Sequence, residues 1–226
     1  GSGLISPTPF GIHTSPHAIH TDTCVVFGQC SNTRRLTSTM TLIPDAADGL
    51  SLDSVYHREL GSLRRKGRKL MEVGLLVAEC RATVSRDITA LFELMKWGVY
   101  YGLHLGINDI VIGVHPRHVR FYTRWFSFEQ FAPERTYPVV RNRPVVPLRL
   151  SLKEKLAVDL PPRGLRHVRD NPVAADAFGR RYSLRHQELT DSSIERFINA
   201  HHRPDRSLRR PGVHVLPQPA LVLQPI

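Results

Sequence analysis

Cysteine is scarce in this 226-residue chain, which holds three: Cys24, Cys30 and Cys80. An odd number with no Cys-x-x-Cys pair argues against a disulfide framework or a cysteine zinc ribbon, and points to a reducing compartment, so a cytoplasmic protein is expected. Long apolar runs are missing as well. No stretch reaches the roughly 18 residues of a membrane-spanning helix, and no basic-then-apolar segment resembles a secretory signal. The expectation is a soluble or, at most, membrane-peripheral protein. Acidic residues are also in short supply, 20 Asp+Glu against 31 Lys+Arg, for a net charge of +11 with histidine neutral. What is present in ordinary measure is apolar residue, 41% of the chain, which excludes disorder throughout and, at this length, allows about 70% of the unfolded surface to be buried.

The charge is uneven. Residues 1–60 carry a net −2, residues 61–152 a net +8 and residues 153–226 a net +5. Basic clusters fall at Arg64-Arg65-Lys66, Arg68-Lys69, Arg117/Arg120/Arg124, Arg180-Arg181 and Arg209-Arg210. Such a surface suits a polyanionic partner: nucleic acid, an anionic lipid face, or an acidic protein bearing a phosphorylated prosthetic group. A basic domain that is merely soluble carries the same signature.

The chain opens Gly1-Ser2-Gly3 without a methionine, as a cloning scar does, so the natural N-terminus is expected upstream. Residues 1–22 read as a Pro/Ser/Thr/His-rich lead-in. His13, His17 and His20 lie in this Pro-rich stretch, and no metal site is expected. Strand signals at Cys24–Phe27 and Leu36–Ile43 make a hairpin ending at Pro44-Asp45. Leu52, Val55, Tyr56, Leu60 and Leu63 recur at helical spacing. Lys69 to Ala78 is then a nearly continuous apolar strand interrupted by Glu72 and Gly74. A carboxylate inside such a strand is unusual, and an interior glycine suggests a bulge or a close approach.

A long helix follows over Ile88–Gly102, with Gly106 placed to end it. Asp109–Val114 is a short buried strand. Pro116 suits the first turn of a helix carrying Val119, Phe121 and Tyr122, and His115 and His118 read as hydrogen-bonding groups at its start. Further strands are expected at Phe128–Phe131 and Val145–Leu152. Residues 153–202 read as an extension with short helices, in which Ser192-Ser193-Ile194-Glu195 is a capping box. Residues 203–226, with five prolines, read as a basic loop or arm.

This order, hairpin, glycine-bearing strand, loop, long helix, strand, helix, is that of a GNAT-type acyltransferase core. The expected fold is α/β (α+β), with a mixed, mostly antiparallel central sheet flanked by helices over residues 23–152 and a helical C-terminal extension. More narrowly, the segments TSTMTLIPD, LMEVGLLVA, the run from Ala90 to Phe131 containing HPRHVRFY, and YPVVRNRPVVPLRLSL resemble the FeeM-type N-acyl amino acid synthases, relatives of the acyl-homoserine lactone synthases. The later AFGRRYSL resembles that family's C-terminal extension. Relatives often have Ser-Arg where this chain has Gly74-Leu75, so no role for that arginine carries over. The family's N-terminal helices, which precede the hairpin, are not recognisable. The Arg/Gln-x-x-Gly-x-Gly/Ala pyrophosphate loop is absent between Ala78 and Ile88, which disfavours coenzyme A.

The resemblance implies transfer of a medium or long acyl chain from an acyl carrier protein thioester to the α-amine of an amino acid. No tightly bound cofactor is expected, and acyl-phosphopantetheine is the donor. Such chemistry needs a base for the ammonium, an oxyanion partner and a proton for the departing thiolate. Glu72 is the candidate base, since burial raises a carboxyl pKa; facing outward, or pairing with Arg68 or Lys69, is the structural alternative. Gly74 would permit a bulge that parts this strand from Asp109–Val114, leaving the backbone at Leu76, Val77 and Ala78 for the pantetheine arm and oxyanion; it could equally be a packing glycine. Tyr122 is the candidate acid or else a core tyrosine, one residue farther than usual from a Gly-Phe pair that is here Ser127-Phe128. Arg81, Ser85 and Arg86, with the next helix's N-terminus, could hold the phosphate or simply be solvated. Arg117, Arg120 and Arg124 would meet the carrier protein. Two rivals remain: an acyl-CoA-dependent N-acyltransferase, and a non-catalytic basic module for nucleic acid or anionic lipid, although the aromatic density at residues 121–128 suits a core better than base stacking.

Overall fold

The computed structural model describes residues 17, 20, 22–29, 36–78, 88–178 and 220–223. The elements run β1 (Cys24–Gln29), β2 (Leu36–Pro44), α1 (Asp53–Arg65), β3 (Leu70–Ala78), α2 (Ile88–His104), β4 (Asp109–Val114), α3 (Pro116–Phe126), β5 (Glu129–Gln130), β6 (Arg135–Tyr137), β7 (Arg143–Ser151), α4 (Leu152–Leu156), α5 (Arg163–Asp170) and β8 (Ala220–Leu223). The sheet order is β5-β7-β4-β3-β2-β1-β8, with β6 joined to β7. Among the described residues, the β3–β4 and β1–β8 pairs are parallel and the rest antiparallel.

Alternation along the strands divides the interior in two. On one face Met40, Leu42, Met71, Val73, Ile110 and Ile112 pack against α2, α3 and α5. On the other, Ile43, Leu70 and Val111 pack against α1 through Leu52, Tyr56, Leu60 and Leu63. Within β4, Ile110 and Ile112 belong to the first face and Val111 to the second, so the middle of the strand is apolar because both of its faces are covered there.

Helix α2 ends as expected at a left-handed glycine: Gly106 has φ +69°, its N–H donates to the Leu103 carbonyl, and the Ile107 N–H donates to the Gly102 carbonyl. Those two bonds make a Schellman closure. At α3, His115 is the N-cap, its Nδ1 accepting from the Arg117 N–H at 3.3 Å ahead of Pro116. Three features depart from the sequence reading. Residues 220–223, within the segment read as loop or arm, add a parallel edge strand to β1. The short strand β6 was not anticipated. Helix α5, in the segment read as an extension, places Leu165 and Val168 in the α2/α3 core. The capping box at residues 192–195 lies outside the described residues.

One arginine in each of two basic clusters is internally neutralised, while Arg65, Lys66 and Lys69 stay exposed. Arg64 holds Asp45 and Asp53 at 2.6 Å each, and Arg68 makes a two-pronged contact with the fully buried Asp109, at 2.5 and 2.6 Å. Their guanidinium groups tie α1 and the start of β3 to the sheet and are not free for a polyanion.

Candidate active site

Strands β3 and β4 run side by side for three residues and then part. Leu70, Met71 and Glu72 pair with Asp109, Ile110 and Val111, and no pairing continues beyond Glu72. On the other side of β3, Thr39 pairs with Val77 and Thr41 with Gly74, so two steps on β2 span three on β3. That extra residue is a bulge, and it bends β3 away from β4. The bulge was expected at Gly74, but the strained backbone is its neighbour's: Leu75 has φ +48°. Past the parting, Leu75 and Val77 are 41% and 61% exposed, apolar side chains standing on an unpaired strand edge. A Cβ at Gly74 would meet only Ile43 Cδ1, at an ordinary 3.7 Å, so close packing does not require glycine there. Of Ala78, only its place at the end of β3 is described.

Glu72 occupies the last paired position, on the α1 face. It neither faces outward nor pairs with Arg68 or Lys69: it is 5% exposed, and its Oε2 accepts from the Leu52 N–H at 3.1 Å. Helix α1 begins at Leu52 without a side-chain cap of its own, so this buried carboxylate satisfies backbone N–H groups at the helix start. Burial pushes the Glu72 carboxyl up to about 7, against the pull of the Leu52 and Ser51 N–H groups, with Asp53 and Asp45 adding repulsion. Near neutral pH the group is therefore divided between acid and anion. Gly113 of β4 makes room for this arrangement, because a Cβ there would lie 2.7 Å from Leu52 Cδ2 and 2.9 Å from Val145 Cγ2.

Two residues missed by sequence reasoning, Tyr137 and Ser54, enter the surroundings of Glu72. Burial raises the Tyr137 phenol and the negative Glu72 raises it further, while a hydrogen bond with Ser54 opposes both. No local motif marks either one; the hydroxyl in the first turn of α1 and a lone tyrosine before Pro138 are brought beside Glu72 only by packing.

Tyr122 lies on the opposite face of the sheet. It is 8% exposed, packs edge-on against Phe121 and Phe128, and burial pushes its phenol up to about 12. The surrounding rings, Phe92 with Trp125 and Phe126, and Phe121 with Trp125 and Phe126, pack on one another. An aromatic cluster so arranged is core rather than a base-stacking platform. Arg117, Arg120 and Arg124 all lie exposed on α3, the helix that follows the free end of β4. Arg117 Nε donates to His118 Nε2 at 3.0 Å, and the Arg117 charge and burial lower the His118 pKa, burial being the larger cause. Arg81, Ser85 and Arg86 lie outside the described residues. A cleft of about 370 Å³ at the start of β3 includes Asp45, Arg68 and Lys69 in its lining, but Asp45 and Arg68 are already engaged by Arg64 and Asp109.

A mixed sheet whose central parallel pair parts beside a buried carboxylate is the arrangement of a GNAT-like acyltransferase. The model of the FeeM N-acyl amino acid synthase family matches residues 1–151, and the chain belongs to that family. Among solved structures it is similar to FeeM, an N-acyl amino acid synthase from uncultured soil microbes, at 30% identity and TM-score 0.50 over 56% of this chain and 71% of that one. It is also similar to the CoA-dependent acyl-homoserine lactone synthase BjaI, at 14% identity and TM-score 0.48 over 72% and 70% of the two chains. Polyamine N-acetyltransferase from Drosophila melanogaster matches at 16% identity and TM-score 0.43 over 54% and 72%. Comparison with curated proteins gives no match. Among the described residues, no helix is long and apolar enough to cross a membrane.

Proposed function

We propose that this N-acyltransferase moves a medium or long acyl chain from the phosphopantetheine thioester of an acyl carrier protein to the α-amine of an amino acid. The observation that carries this reading is the position of Glu72 at the last rung before β3 and β4 part, buried and poised near neutrality. As its anion, Glu72 takes a proton from the substrate ammonium. The freed amine attacks the thioester carbonyl, an amide C–N bond forms and the C–S bond breaks; the nitrogen sheds its second proton to water, and Tyr122, whose phenol stays protonated throughout the neutral range, donates a proton to the departing pantetheine sulfur and is reprotonated by water.

The unpaired edge of β3 over Gly74, Leu75, Leu76, Val77 and Ala78 supports the donor end of the reading. Backbone N–H groups on a strand edge can bind the pantetheine amides and the developing oxyanion. Exposed Leu75 and Val77 offer apolar surface to the chain, where each methylene buried adds roughly 0.8 kcal/mol. Arg81, Ser85 and Arg86 are proposed for the phosphate, and Arg117, Arg120 and Arg124 for the acidic carrier protein. No tightly bound cofactor enters this scheme.

The test is a purified reaction with acyl carrier protein and coenzyme A thioesters of matched chain length, presented with each amino acid and read by mass spectrometry. N-acyl amino acid formed faster from the carrier thioester supports the proposal. Preference for the coenzyme A thioester overturns the donor assignment, and no amide from either donor overturns the reaction.

A further inference from the structure

We propose that His17, His20 and Asp48 form a binding site for a divalent transition-metal ion of the zinc class. The carboxylate is supplied across space by the turn before α1. Asp48 Oδ2 lies 2.9 Å from His20 Nε2 and 3.6 Å from His17 Nδ1, and the three ligand atoms fall within 4.8 Å of one another. An ion about 2.0–2.2 Å from each of three nitrogen or oxygen ligands needs them roughly 3–4 Å apart, so rotation of one imidazole closes the set. Two imidazoles and one carboxylate suit zinc better than magnesium or calcium, which favour all-oxygen ligands. Three protein ligands leave a fourth position for water.

The backbone under these ligands is fixed by other bonds. The Thr23 hydroxyl donates to the His17 carbonyl at 2.7 Å, the Thr23 N–H donates to the His20 carbonyl at 3.0 Å, and Thr23 is fully buried. The Tyr101 hydroxyl donates to the Asp22 carbonyl at 2.7 Å, which ties the same segment to α2. Opposite, the Gly49 N–H donates to the Ala46 carbonyl at 2.9 Å, and Gly49 takes φ +77°, so a tight turn presents Asp48. The ion would join the lead-in to the turn three residues before Ser51, and so brace the start of α1.

The experiment uses the full chain, stripped with chelator, and the metal alone as probe. Calorimetry with Zn²⁺ and visible absorption with Co²⁺ are run on the wild type, His20→Ala, Asp48→Asn and, as a control, His57→Ala. Expected are one ion per chain, a Co²⁺ spectrum of low coordination number, and a thermal midpoint raised by several degrees with Zn²⁺. Uptake should be lost in His20→Ala and Asp48→Asn and kept in His57→Ala, with matching far-UV circular dichroism in all four. Absence of stoichiometric uptake by the wild type overturns the proposal, as does uptake that survives both ligand substitutions.

Discussion

Glu72 faces Val111 on the last rung of the parallel β3–β4 ladder, so the one carboxylate inside β3 stands where the central sheet opens. Replacing it by glutamine keeps the volume and removes the anion. Glu72→Gln should lower turnover at saturating donor by about 10² or more while leaving the fold intact. In the wild type, kcat/KM should climb with pH through about 7, the range to which burial has pushed this carboxyl. The variant should lose that limb and keep any limb set by the amine substrate. Initial rates over pH 5–9 on both proteins check the point, and an unaltered profile in the variant removes Glu72 from the mechanism.

The same group makes stability depend on pH with a definite sign. Its folded pKa, about 7, is above the ordinary 4.5, so the native state holds the proton more tightly than the unfolded chain. Its contribution is complete below pH 4.5 and is lost as pH rises through 7, a span of about 3 kcal/mol. Paired carboxylates such as Asp53 and Glu93, held low by Arg64 and by Lys96 and His167 despite burial, run the other way. The diagnostic is therefore the difference between wild type and Glu72→Gln in urea titrations. The variant should gain relative stability from pH 5 to pH 8, and a difference flat with pH contradicts the buried, protonated carboxyl.

How far this site could be read in the sequence follows from which contacts are local. The β3 segment announced itself, because an apolar strand rarely carries Glu72 and Gly74. The bulge was legible from Gly74, but the positive φ at the neighbouring Leu75 was not, because nothing in a leucine side chain signals that conformation. What holds Glu72 was not legible: the Leu52 N–H is twenty residues away, and only the packing of α1 on the sheet brings it there. His17 and His20 were dismissed as ligands for the same reason, Asp48 being remote in the chain and adjacent in space. Helix α5 has only eight residues and a narrow apolar stripe, too little periodicity to show that it belongs to the core.

Leu75 gives a local test of the bulge. At an exposed strand position, Val for Leu would ordinarily change stability by less than 0.5 kcal/mol. Here φ is +48°, where a β-branched side chain is badly accommodated, so Leu75→Val should cost about 1–2 kcal/mol. Leu75→Gly should lie within about 0.5 kcal/mol of the wild type, because relief of strain offsets the entropy of a freer unfolded chain. Equilibrium denaturation of the three proteins measures both, and equal stability for the valine variant excludes the left-handed bulge.

Gly164 tests whether α5 is integral to the fold. A Cβ at this position would fall 2.5 Å from the Trp125 carbonyl oxygen and 2.7 Å from Phe126 Cε1, so backbone as well as side chain blocks it. Gly164→Ala should destabilise the protein by about 2 kcal/mol, even though alanine favours a helix. A neutral or stabilising result, measured by thermal and urea unfolding, would mean that α5 does not seat on the end of α3.

The α3 arginines separate docking from chemistry. Arg117, Arg120 and Arg124 are exposed on α3, whereas Glu72 is bonded at the start of α1. Reversing all three to glutamate should lower kcat/KM for acyl carrier protein thioester by at least about tenfold, chiefly through association, and should flatten its dependence on ionic strength. With a short acyl-pantetheine thioester that has no protein attached, the same variant should match the wild type. A loss of rate shared equally by both donors would place the effect in the fold or the chemical step and remove α3 as the carrier-protein surface.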